Sequence, residues 1–104
     1  MAGPTKASKI LKIVRGDALD IATHRLYIEP SPNAVTYASQ MFELGSADEI
    51  DLSTIAGMED IDGVFNLGVT SVDDAGNEST SMTKLNDVPL DFVPPDPPKQ
   101  ISIV

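Results

Sequence analysis

Proline and glycine cut this chain into short pieces, and that limits its fold more than any other feature. Gly16, Pro30, Pro32, Gly45, Gly57, Gly63, Gly76 and Pro89 fall between apolar runs. Eight prolines and seven glycines in 104 residues favour many short elements over long helices. A chain of this length suits one domain that hides roughly two-thirds of the surface it would expose unfolded. Hydrophobic residues make up 41% of it and aromatic residues only 5%, without tryptophan, so its core must be mostly aliphatic.

The runs between the breakers read as strands. Residues 9–15, KILKIVR, are β-branched and apolar and predict a strand ending at Gly16. Residues 16–22 suit a single helical turn capped by Asp17. In residues 23–29, THRLYIE, His24, Leu26 and Ile28 share one face while Arg25 and Tyr27 share the other. Pro30 and Pro32 end that strand. Residues 36–44 predict a strand stopped by Gly45, and 48–55 place Ile50 and Leu52 on one face. Residues 57–63 read as a loop. The strongest strand is 63–73, where Phe65, Leu67 and Val69 alternate with Asn66, Gly68 and Thr70, the pattern of a half-buried strand. The turn DDAGNE follows, then a hairpin partner over 79–85 and a further run over 88–92 broken at Pro89. The prolines of 93–98 precede a last apolar alternation, Ile101 and Ile103. Such spacing is that of an antiparallel sandwich.

Charge narrows the partners. The formal net charge of −9 would repel a nucleic acid, so none is expected as a partner. Residues 1–16 carry Lys6, Lys9, Lys12 and Arg15 and no acid, whereas residues 43–78 carry ten acids and no base. The acids read as a solvated face that keeps a small domain soluble; alternatively, the basic end of one module meets the acidic side of another. The absence of cysteine excludes disulfides and thiolate metal sites. No run approaches the ~20 apolar residues that span a bilayer. The N-terminal residues show no apolar stretch after their charges, so no signal peptide is expected.

The segment FNLGVTSVDDAGNES (65–79) resembles the sixth and seventh strands of the fibronectin type III module in its bacterial form, with Phe65, Leu67, Val69, Gly76, Asn77, Glu78 and Ser79 in the matching places. THRLYIE is similar to the family's third strand, and VPPDPPKQISIV to the opening of such a module. The resemblance covers about residues 23–92 and implies an all-β, immunoglobulin-like antiparallel β-sandwich of about seven strands. The sequence departs from the family in three ways. The usual core tryptophan is missing. Phe65 stands where a tyrosine is common, so no corner hydroxyl bond can form. Between Ile10 and Thr23 there is room for one strand where the family has two. The implied organisation is a disordered segment over 1–8, a sandwich over 9–93, and a proline linker with a terminal strand over 94–104. KILKIV (9–14) and KQISIV (99–104) echo each other at an offset of 90 residues, about one module, which suits either a tandem array or two unrelated strands.

Few motifs point to chemistry. Asp73, Asp74, Asn77 and Glu78, with Asp60 and Asp62, are oxygen donors of the kind calcium takes. They lack EF-hand spacing, and Asp, Gly and Asn are also what a hairpin turn needs. The turn is the favoured reading. RGD at 15–17 reads as a strand flank and a turn rather than as an adhesion motif. His24, the only histidine, has no second imidazole for a metal cluster and reads as a satisfied, half-buried side chain. Carboxylate pairs exist, but no aromatic platform accompanies them to hold a sugar ring. No catalytic, cofactor or metal-ligating set is therefore assigned.

The expected function is a non-catalytic structural or interaction module, a spacer or protein-binding domain of a larger surface or secreted bacterial protein. Its partner would be a protein or a neighbouring module docked on an edge strand, with weak self-association through ISIV. The alternatives are an accessory carbohydrate-binding domain using Tyr27 and Tyr37, and a calcium-stabilised adhesion module.

Overall fold

The computed structural model describes residues 8–104 and is all-β. Six strands run in chain order: β1 (Ile10–Lys12), β2 (Ile21–Pro30), β3 (Gln40–Gly45), β4 (Glu49–Asp51), β5 (Asp62–Asp73) and β6 (Thr83–Asp91). They form two antiparallel sheets. One holds β1 and β4 alone, and the other has the order β3-β2-β5-β6. The described residues hold six strands against an expectation of about seven, and the expected terminal strand is not formed. Residues 99–104 pair with nothing and stand exposed. The expectation of disorder over 1–8 falls, except for Ser8, outside the described residues.

β2 and β5 are the longest strands, and they pair from Ile21↔Asp73 to Pro30↔Phe65 with one register shift between Ile21 and Thr23. Leu26, Ile28, Phe65 and Leu67 project from this pair toward the small sheet. They bury against Phe42, Leu44, Ile50, Leu52, Met58, Leu90 and Phe92. Fully burying one such side chain contributes about 1.5–3 kcal/mol, so this aliphatic cluster is the main source of stability.

Several local expectations are corrected. Residues 16–22 form no helical turn, because Ile21 and Ala22 already belong to β2. The strand expected over 36–44 begins only at Gln40. Before it, the Ser39 N–H donates to the Thr36 carbonyl and closes a turn. β4 ends at Asp51, whose carboxylate accepts from the Ser53 N–H at 3.0 Å and hydroxyl at 2.7 Å, starting a 3-10 turn over Leu52–Thr54. Three successive turn bonds then carry the chain to Ile61 and bury Leu52 and Met58. Pro89 does not break β6. β6 is an edge strand paired only with β5, so the missing N–H can face away from the ladder.

The largest correction concerns β5. Its second face, expected to meet solvent, is buried at Asn66, Thr70 and Val72. The segments 31–39 and 78–82 lie over it. Asn66 donates to the Asn33 carbonyl at 2.8 Å and accepts from the Asp87 N–H at 2.9 Å. Asp87 itself takes a positive φ of 58°.

Candidate functional site

Two places gather polar and exposed apolar groups: a carboxylate hub on the outer face of the large sheet, and an open side of the sandwich between β1 and β6.

At the hub, β2 turns Arg25 and Tyr27 outward and β5 does the same with Thr70. Glu78 arrives from the chain returning after the turn, fixed by its bridge to Val72. Its carboxylate accepts from the Tyr27 hydroxyl at 2.6 Å, the Thr70 hydroxyl at 2.6 Å and Arg25 Nη1 at 3.3 Å. Arg25 Nε reaches Glu43 on β3 at 2.9 Å, so three strands and the turn are tied together. Burial pushes the Glu78 carboxyl up, but the two hydroxyls and the Arg25 charge outweigh it and hold it below its usual value. Burial and the Glu78 bond raise Tyr27, and the bond to Glu43 raises Arg25. The ring of Tyr37 stands edge-on to Tyr27, with centroids 5.6 Å apart, and its hydroxyl donates to the Ser79 carbonyl. Tyr27, with Tyr37, is what the alternative carbohydrate-binding reading places outside the core. Tyr27 is instead buried, so the two tyrosines make no exposed row.

The turn itself is organised by Asp73. Its carboxylate accepts from the Ala75 N–H at 3.0 Å and from the Asn77 N–H at 2.8 Å, and Gly76 supplies the left-handed φ of 91°. Backbone and side-chain bonds from Asn77 hold this carboxyl below its usual range. Glu78 has left the turn for the hub, so the oxygen donors that were a candidate calcium set do not converge. Among the described residues no three acidic or histidine side chains gather as metal ligands. In the RGD triplet, Arg15 binds Asp48 at 2.6 Å, the Ile21 carbonyl at 3.3 Å and the Ser46 carbonyl, tying the end of β1 to the β3–β4 turn.

The open side is a groove of about 520 Å³ with Leu11 and Ile13 on one wall and Leu67, Val69 and Leu85 on the other. Leu85 pairs with Leu67 and so lies on the core face of β6, yet it is 58% exposed, whereas Leu90 on the same face is 0% exposed. The small sheet has two strands and does not extend over this part of the large one. His24 also lines the groove. It is only 1% exposed, and neither ring nitrogen has a hydrogen-bond partner among the described residues. This corrects the expectation of a satisfied, half-buried histidine. Burial first, then the charge of Arg15, lowers its pKa below 6.5, against a smaller opposing effect of Asp48.

Sequence reasoning missed both the hub and the groove. The outward Arg25–Tyr27 pair facing a hairpin that returns through Glu78 was a signal for the hub. The single strand before Thr23 was a signal for the groove. No helix among the described residues is long and apolar enough to cross a membrane. Comparison of the chain with protein-family models, with curated proteins and with solved structures finds no match.

Proposed function

We propose that this chain is a non-catalytic interaction module of the fibronectin type III kind, acting as a spacer or docking unit within a larger surface or secreted bacterial protein. The observation that carries the reading is the open side of the sandwich, where β1 keeps an edge unpaired among the described residues beside an uncovered apolar wall. An unpaired strand edge offers a row of backbone N–H and carbonyl groups to an extended partner.

The strand order adds support. A central β2–β5 pair flanked by β3 and β6, facing a smaller sheet, suits the antiparallel sandwich that the resemblance implies. The polar clusters favour the same reading, since Glu78, Asp73 and Arg15 are each occupied in bonds that hold strands and turns.

Titration of the 15N-labelled chain with an acetylated peptide of alternating isoleucine and threonine tests it. Amide shifts confined to residues 10–14 and 83–85 are expected. No shift at millimolar peptide, or shifts centred on the Tyr27–Glu78 face, would overturn the reading.

A further inference from the structure

We infer that the groove between β1 and β6 is filled by residues 99–104 of a second copy of this chain, which adds a strand to the free edge of β1 and links copies head to tail. The inference rests on the docking function proposed above and names its occupant.

The first argument is that groove and tail each lack what the other has. Leu85 and Val14 are 58% and 89% exposed at the groove, and among the described residues β1 pairs on one side only. The tail exposes Ile101 at 88% and Ile103 at 101%. Period-two alternation puts those two isoleucines on one face of an extended strand, facing the apolar wall, while Gln100 and Ser102 face out.

Strand direction decides between a second copy and the chain's own tail. Arg15, just beyond β1, bonds to the Ile21 carbonyl, and Ile21 pairs with Asp73 at the end of β5. β1 therefore runs toward the 73–77 turn. β6 starts beside that turn and runs away from it, until the Phe92 N–H donates to the Ile61 carbonyl at the far end. A tail doubling back from there would travel in the same direction as β1 and lie parallel to it, whereas every pairing in this fold is antiparallel. A tail from another copy can enter at the turn end and run antiparallel to β1.

The linker favours the second arrangement as well. Pro94, Pro95, Pro97 and Pro98 lie within residues 93–98. Such a segment is semi-rigid and extends by ~3.1 Å per residue, roughly 19 Å in all. That reach carries the tail clear of its own body instead of folding it back.

Such a contact joins two different surfaces and does not close on itself, so it yields open chains of copies. Sedimentation velocity from about 10 μM to about 1 mM, the range suited to a small interface, tests this. The wild-type chain should show a mass that rises past the dimer. An Ile101→Asp/Ile103→Asp variant, altered outside the folded body, and a Leu85→Asp variant should each associate at least ~tenfold more weakly. Mixed together, these two variants should recover a complex that stops at the dimer, because one keeps an intact groove and the other an intact tail.

A wild-type chain that stays monomeric throughout would overturn the inference. So would a tail variant that associates as well as wild type, or a monomer whose Ile101 and Ile103 amides are protected from exchange by its own sheet. A monomer that still binds the alternating peptide at residues 10–14 loses this inference alone. A monomer that ignores the peptide loses the proposed function too.

Discussion

Replacing Glu78 with alanine should destabilise the fold far more than its place beside an acidic turn suggests. The carboxylate is the acceptor for two hydroxyls, both at 2.6 Å, and for Arg25. Thr70 is 1% exposed and Tyr27 is 5% exposed, so both hydroxyls lose an acceptor in a largely sheltered place. A buried donor left without its partner costs about 1–3 kcal/mol. Two such donors, one of which can rotate toward a substitute, give an expected loss of about 3 kcal/mol. For a domain of this size that lowers Tm by roughly 12–24 °C. Urea unfolding measures it directly, with the midpoint moving and the slope m unchanged. The control is Asp74→Ala, which removes the same charge from an exposed side chain and should stay within about 0.5 kcal/mol of wild type. The pH dependence has a fixed sign. Glu78 titrates lower in the folded chain, so its contribution is whole above the ordinary value of 4.5 and is lost as pH falls through the folded value. The Glu78→Ala variant should lack that part of the acid limb. A Glu78→Ala loss below about 0.5 kcal/mol would refute the hub as a stabilising element.

Other outcomes follow from the same geometry. His24→Leu removes two buried nitrogens that have no partner among the described residues and should leave stability unchanged or raise it by about 1 kcal/mol in urea unfolding. Because the folded chain resists protonating His24 while the unfolded chain accepts a proton near pH 6.5, wild-type stability should fall as pH drops below that value, and His24→Leu should be flat there. Asp73→Ala should expose the Ala75 and Asn77 amides to exchange while leaving the β2–β5 amides protected. Calcium or EDTA should leave Tm unchanged, since Asp73 spends its oxygens on the turn and Glu78 on the hub. Gly68→Ala pushes a methyl group into Met82 and should cost about 1–2 kcal/mol, much of it recovered with Met82→Ala.

The sequence carried the inner layer of this fold and little of what covers it. Period-two alternation identified β5 and β2, with Leu26, Ile28, Phe65 and Leu67 facing the core, because those contacts repeat locally along the strand. The same alternation misread Asn66 and Thr70 as exposed. Their burial depends on 31–39 and 78–82 folding over the sheet, a tertiary event with no local period. Pro89 misled for a related reason, since a proline is tolerated when the strand happens to be an edge. Glu78 looked like one more turn acid because its partners, Tyr27 and Thr70, are assembled from two other strands. The missing strand before Thr23 was legible as a shortage of residues. That it leaves an open groove with His24 inside was visible only once β1 was found paired to β4 alone.

The central claim is that a neighbouring copy's tail occupies the groove, and mixed labelling tests it most directly. Equal parts of 13C,15N-labelled and unlabelled chain, at a concentration where association is seen, permit only contacts between copies to be recorded. The account predicts cross-strand contacts from the protons of Ile101 and Ile103 to those of Leu11 and Ile13, in antiparallel register, and to the methyl groups of Leu85. Contacts that appear only within one chain, or between copies but away from β1 and β6, would contradict it.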